Sequence, residues 1–234
     1  EWFANQRNPN NPAMLWTLTK NEQGAPTMTG TTIGPRNAHG VGFGDINNDG
    51  RTDILFGAGW YECPKDDPLT GEWTYHADWD KMHCACPMLV YDVDGDGLND
   101  VVNSIAHDYG IHWWKSLGPD ADGKLQFEEH LIDNSFSQGH CLVLADLDGD
   151  GQKELITGKR IRAHNGKDPG SAEPAIMRYY VWDAEKKTFT GHTITEGNAG
   201  GGLQIRTADL DADGDIDIVV AGKDGTQIIW NRRL

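Results

Sequence analysis

The chain has 234 residues, with 36 acidic against 20 basic side chains and a formal net charge of −16. Such acidity excludes a nucleic-acid partner, which calls for a basic face. No run approaches the roughly 18–20 apolar residues of a membrane span, and no stretch reads as a signal peptide. Four cysteines, Cys63, Cys84, Cys86 and Cys141, are too few for a disulfide scaffold in a chain this long, so buried thiols are expected.

Residues 1–38 contain two strand-like pieces, Glu1-Trp-Phe-Ala and Met14-Leu-Trp-Thr-Leu-Thr, read as the third and fourth strands of a partial blade. From His39 a short apolar run leads into Asp45-Ile-Asn47-Asn-Asp49-Gly50-Arg51-Thr-Asp53. The same nine-residue pattern returns as Asp92-Val-Asp94-Gly-Asp96-Gly-Leu98-Asn-Asp100, as Asp146-Leu-Asp148-Gly-Asp150-Gly-Gln152-Lys-Glu154, and as Asp209-Leu-Asp211-Ala-Asp213-Gly-Asp215-Ile-Asp217. Oxygen-bearing side chains fall at positions 1, 3, 5 and 9, with glycine at position 6. The residues at position 7 (Arg51, Leu98, Gln152 and Asp215) are counted in the ligand set as well. Hard oxygen donors around a tight glycine turn suit Ca²⁺. Carboxylates packed this closely repel by roughly 1 kcal/mol per pair even in water, and a cation relieves that. The loops hold sixteen acidic residues, as many as the net negative charge, so the acidity needs no further explanation.

The opening matches an EF-hand, but that loop closes with glutamate at position 12 and is flanked by helices. Here position 12 is Phe56, Asn103, Thr157 and Val220. Each loop lies between β-branched or apolar runs, so each unit reads as strand, metal loop, strand. Loop starts are 47, 54 and 63 residues apart, a spacing that fits propeller blades of four strands, A to D. Aromatic segments at Trp60-Tyr61, His112-Trp113-Trp114, Tyr179-Tyr180-Val-Trp182 and Ile228-Ile-Trp230 are expected as C strands packed between blades. Segments ending in His76, His130-Leu-Ile and His192-Thr-Ile are expected as D strands. The long Gly- and Pro-containing segment 162–175 is a B–C insertion of the kind that carries function. The expected fold is an all-β propeller of four-stranded blades with calcium-binding A–B hairpins. The chain holds about five blades' worth as a single domain over 1–234: a partial blade at 1–38, then repeats starting near 39, 86, 140 and 203. Other chain segments completing a larger ring are one way to close it; irregular closure between the termini is the other.

These hairpins resemble the FG-GAP/VCBS repeats of integrin-type propellers and of many bacterial secreted proteins, over about residues 38–230. More narrowly, His39-Gly-Val-Gly-Phe-Gly-Asp45, Ser137-Gln-Gly-His140 and the stretch Gly158-Lys159-Arg160 through Ala163-His164 to Gly170 resemble the last four blades of bacterial seven-bladed VCBS propellers. Those are similar in turn to the propeller domain of fungal aldos-2-ulose dehydratases, which are sugar lyases. The resemblance implies fold and calcium strongly. It constrains activity little, since the fold hosts adhesion modules, binders and enzymes.

Propeller topology puts the start of every A strand and the end of every B strand on the face opposite the calcium loops. His39 and His140 each precede the first loop aspartate by six residues, with Cys86 and Leu203 at the equivalent places in the other repeats. His107 and His164 follow B strands. The four are expected on one face, where imidazoles at a channel mouth would hold Zn²⁺ or another transition metal with a position open to substrate. Lys159 and Arg160 would steady negative charge, and His107, His164 or a water would act as base. His83-Cys84-Ala-Cys86 is a second candidate ligand set on that face. The expected function is a secreted or periplasmic, calcium-stabilised, carbohydrate-active propeller, a metal-assisted lyase or dehydratase acting on an oxidised or acidic sugar at the channel mouth. The alternative is a non-catalytic module binding glycan or protein.

Overall fold

The computed structural model describes residues 2–4, 11–79, 82, 87–223 and 225–233. It is built of five antiparallel sheets in chain order. The first holds β1 (Trp2–Ala4), β2 (Ala13–Lys20) and β3 (Pro26–Gly34). Three four-stranded sheets follow: β4 (Gly42–Gly44), β5 (Asp53–Phe56), β6 (Gly59–Glu62) and β7 (Thr74–His76); then β8 (Leu89–Tyr91), β9 (Asp100–Ser104), β10 (Tyr109–Pro119) and β11 (Leu125–Ser137); then β12 (Gly139–Ala145), β13 (Glu154–Lys159), β14 (Ile176–Asp183) and β15 (Thr188–Glu196). The last sheet holds β16 (Gln204–Ala208), β17 (Asp217–Gly222) and β18 (Gly225–Ile229). Every strand pairs with the next in sequence within its sheet, the up-and-down order of propeller blades. Among the described residues no helix is long and apolar enough to cross a membrane.

Burial follows strand position. β5, β9 and β13 are buried at every residue because both faces of a B strand are covered by neighbouring sheets. Hence adjacent apolar residues such as Ile54-Leu55-Phe56, Val101-Val102 and Leu155-Ile156 replace the alternation of a half-exposed strand. Four apolar clusters join successive sheets: Leu15, Ile33, Phe56 and Tyr61 between the first and second; Leu55, Trp60, Met88 and Val101 next; Val102, Trp113, Leu155 and Tyr180 next; and Ile156, Met177, Ile205 and Val220 last. Each such side chain, fully buried, contributes about 1.5–3 kcal/mol. The innermost strands nearly touch. Gly42 bridges Met88 in parallel fashion, and a Cβ on Gly42 or Gly44 would lie 2.6 Å from the Met88 Cβ or 2.5 Å from the Val90 Cβ. Only glycine allows that approach.

The C-strand aromatics pack between sheets: Trp60, Tyr61, Trp113 and Tyr180 are all buried. The D-strand histidines stack on cross-strand partners, His76 on Trp60 at 4.3 Å, His130 on Trp113 at 4.7 Å and His192 on Tyr179 at 4.8 Å. One strand assignment changes. The segments at 2–4 and 13–20 are a B and a C strand, and the D strand of that sheet is β3, which the pattern did not announce. Its Pro-Thr-Met-Thr-Gly-Thr-Thr run has no apolar alternation because its first five residues are exposed on the outer edge. Among the described residues, no strand pair or apolar cluster joins β16–β18 to β1–β3. Leu203, Ile228 and Trp230 on the last sheet are about half exposed.

Candidate functional site

The strands carry two groups of polar side chains, one at each end. β12 shows the arrangement: His140 sits at its start and Asp146 just past its end.

At the loop end, one hydrogen-bond scheme is repeated four times. The position-1 carboxylate accepts from the glycine N–H at position 6: Gly50 to Asp45, Gly97 to Asp92, Gly151 to Asp146 and Gly214 to Asp209, at 2.9–3.1 Å. The N–H groups of Arg51, Leu98, Gln152 and Asp215 donate to the position-5 carboxylates of Asp49, Asp96, Asp150 and Asp213. The position-9 carboxylates are buried and bracket the hairpin. Asp53, Asp100, Glu154 and Asp217 accept from the N–H of Ile46, Val93, Leu147 and Leu210, at 2.6–3.1 Å. Asp53, Asp100 and Asp217 also reach the C strand or its end through the N–H of Cys63, Ser116 and Asn231. Burial pushes Asp53 up to about 6 and also raises Asp100 and Glu154.

Three loops bring three carboxylates within 4.8 Å of one another: Asp92, Asp94 and Asp96; Asp146, Asp148 and Glu154; Asp209, Asp211 and Asp217. In the first loop Asn47 stands at position 3, and its amide donates to Asp49 at 2.8 Å. Basic side chains already lean on these acids. Arg51 pairs with Asp49 at 2.5 Å, Lys115 with Asp94 and with Asp96, Arg232 with Asp211 at 2.9 Å and Asp213 at 2.8 Å, and Arg233 with Asp215 at 2.8 Å. Asp94 Oδ1 is buried without a hydrogen-bond partner. An all-oxygen donor set with such an orphan atom fits a hard cation.

At the other end, segments from three sheets bring histidines together. His39 precedes β4, His107 follows β9, and His140 lies on β12. Their ring centroids form a triangle of 6.4, 6.2 and 6.0 Å, and one ring nitrogen from each lies within 4.8 Å of the others. Nitrogens around a tetrahedral metal at roughly 2.0–2.1 Å stand about 3.3 Å apart, so small ring movements close the set. Burial, with the Arg160 guanidinium and the two neighbouring imidazoles, pushes His140 down to about 4. It is therefore neutral at pH 7, as a metal ligand must be.

His164 stacks on His107 at 4.5 Å. Asp168 accepts from both: Oδ1 lies 3.0 Å from His164 Nδ1, and Oδ2 lies 3.2 Å from His107 Nδ1. Arg160 stands beside them, its NH2 3.2 Å from His107 Nδ1 and 3.8 Å from Asp168 Oδ2. Burial lowers the Arg160 guanidinium pKa. The carrying loop holds Arg162, His164 and Asn165 in the left-handed region, at φ 48°, 44° and 59°. Such residues cost on the order of 1–3 kcal/mol each and persist only where surroundings impose them.

The anchors of that loop include Lys159. Its side chain is 1% exposed, and its ammonium donates to Ser137 Oγ at 2.9 Å and to Gly170 O at 2.5 Å. Burial lowers its pKa. Lys159 therefore holds the loop rather than presenting a charge to a ligand. Gln138 Nε2 donates to Pro169 O at 3.2 Å and Ser171 Oγ at 3.1 Å, and Tyr109 donates to Glu173. Gln138 N donates to Asp108 O, and Arg160 N to Gln138 O, both at 2.9 Å, which ties together the three segments carrying His107, His140 and Arg160. Asp168, Gln138, Tyr109 and Glu173 were not singled out from the sequence. The spacing of Asp168 four residues after His164 was the available signal. His83, Cys84 and Cys86 lie outside the described residues.

A search of the curated proteins found no match to this chain. The same hydrogen-bonded loop is built at four successive sheets in a propeller-like order of strands, and residues 92–157, running from the second acidic loop through β9–β12 into β13, match the family model described as FG-GAP-like repeat.

Proposed function

We propose that this chain is a calcium-stabilised, carbohydrate-active propeller whose histidine face holds one transition-metal ion and acts as a lyase or dehydratase on an oxidised or acidic sugar. The observation that carries the reading is the convergence of His39, His107 and His140 from three different sheets. Three imidazole ligands leave a fourth coordination position for a ligand. A metal bound there would supply Lewis-acid polarisation of a sugar carbonyl or hydroxyl, which acidifies the adjacent C–H. The exposed His164, its Nδ1 held by Asp168, is the base that removes this proton; the C–H electron pair forms the C=C bond as the β-oxygen leaves with its own electron pair. Arg160 faces developing negative charge or a sugar carboxylate.

The oxygen-lined loops are read as calcium sites that brace the hairpins, which suits a compartment rich in calcium, secreted or periplasmic. A non-catalytic module is the second reading, and the half-exposed Leu203, Ile228 and Trp230 on the last sheet favour it as a place for a partner or further chain segments.

The test is element-resolved metal content of protein dialysed against calcium buffer, beside a His39→Ala/His140→Ala variant. Calcium plus one zinc, manganese or iron, with only the latter lost in the variant, supports the reading and leads to assays for unsaturated sugar products. Calcium alone in both samples overturns the metal-assisted mechanism.

A further inference from the structure

We infer that Asp168 is the positioning residue of the histidine face, setting the tautomer of His107 and His164 together, and that the face is built for one metal ion rather than two. The inference rests on the metal reading of the three histidines. The groups that face these two imidazoles are His39, His140, Arg160 and Asp168.

His107 belongs to two possible ligand sets, His39/His107/His140 and His107/His164/Asp168. Taken alone, the second could be a separate metal site with His107 bridging. Arg160 argues against that. Its guanidinium nitrogen lies 3.2 Å from His107 Nδ1 and 3.8 Å from Asp168 Oδ2, so a permanent cation already adjoins both donors. A second divalent ion there would meet that charge at close range. The Asp168 carboxylate, 11% exposed, instead has the geometry of an outer support, each oxygen taking one Nδ1. A carboxylate at Nδ1 asks for an N–H there, which leaves Nε2 with its lone pair. At His107 the Arg160 NH2, equally near Nδ1 and able only to donate, asks for the opposite tautomer, so Asp168 is the group that holds His107 in the form with a free Nε2. For His107 that lone pair is the metal-binding atom; for His164 it is the proton acceptor. One side chain thus prepares a ligand and a base.

The chain path serves this pairing. Left-handed residues at Arg162, His164 and Asn165, with Gly166 at φ 80°, turn the backbone so that Asp168 comes back beneath His164. Lys159 and Gln138 then hold the far side of the loop at Gly170, Pro169 and Ser171.

The experiment combines long-range ¹H–¹⁵N spectra of the histidine rings in metal-free protein with zinc titration against a competing chelator. Both are run on the full chain and on Asp168→Asn, with near-ultraviolet circular dichroism to show that the variant is folded. The expected result is Nδ1–H on His107 and His164 in the wild type, loss of that preference in the variant, and zinc binding weakened about 10- to 100-fold at one ion per chain. Nε2–H on His107 in the wild type overturns the positioning role whether or not the variant folds. Two zinc ions per chain, with the second lost in Asp168→Asn, overturns the single-ion assignment. A wild type that shows the Nδ1–H tautomers but binds no zinc sinks the metal reading while leaving the tautomer-setting role of Asp168 standing.

Discussion

The buried carboxylate at the end of each acidic loop has two possible jobs, and Asp100→Ala separates them. Asp100 is fully buried and accepts three hydrogen bonds: from Val93 N at 3.1 Å, Trp113 Nε1 at 2.9 Å and Ser116 N at 2.7 Å. Truncation leaves three buried donors without an acceptor, at about 1–3 kcal/mol each. Removing a carboxylate whose ionised form is itself disfavoured by burial offsets part of that. A net loss of about 3–5 kcal/mol follows, a large share of the roughly 5–15 kcal/mol that holds a domain folded. With a urea slope of about 2–3 kcal/mol per molar, the unfolding midpoint should fall by about 1–2.5 M. Tryptophan fluorescence would follow it, since Trp113 is itself one of the three donors. The measurement is made in calcium and again in excess EGTA. If Asp100 serves only as a cation ligand, wild type and variant coincide once the cation is removed. If it is the bracket described here, the deficit persists in EGTA. A midpoint difference there worth less than about 1 kcal/mol would refute the reasoning.

Lys115, bound to Asp94 and Asp96, is a built-in cation in the second loop. Lys115→Met should therefore raise that loop's calcium affinity about tenfold, the equivalent of one ~1.4 kcal/mol charge-assisted contact, while lowering stability in EGTA; unchanged affinity by calorimetry would remove the competition argument. Asp133 is raised by burial but lowered more by Tyr180, Ser135 and Arg178, so it lies below the ordinary carboxylate value. Its contribution is present above the unfolded value near 3.9 and lost as pH falls through the lower folded value. The stability gap between wild type and Asp133→Asn should accordingly be flat from pH 5 to 7 and shrink below about 4; a gap that widens on acidification would contradict this.

The sheet order was legible because each loop writes its acidic residues and its glycine turn into nine consecutive positions, and because B strands covered on both faces carry adjacent apolar residues, as at Val101-Val102 and Leu155-Ile156, instead of alternating. β3 was not. An outer strand with Thr, Gly and Pro needs no apolar alternation, since the neighbour that would impose it is solvent. The roles of the position-9 residues were only half legible. Their spacing announces a cation loop, but that Asp53, Asp100 and Asp217 also cap the C strand or its end depends on backbone N–H groups ten to sixteen residues away, which no side-chain pattern records.

The histidine face shows the same division more sharply. Matched offsets from the loops placed His39 and His140 at equivalent strand starts, and topology alone set His107 and His164 nearby. Lys159 and Asp168 could not be sorted that way. Lys159 ends a B strand beside Arg160 and shares its charge, yet it points into the fold to Ser137 and Gly170 while Arg160 reaches His107. Alternation along a strand sends adjacent side chains to opposite faces, so in a blade one neighbour becomes an anchor and the other a site residue. Asp168 owes its place to three left-handed residues in a loop, a conformation that sequence permits without requiring. Residues whose role follows from strand register can be read from repeats. Those whose role follows from how a single long loop folds back on itself are visible only in three dimensions, and here they include the carboxylate on which the histidines depend.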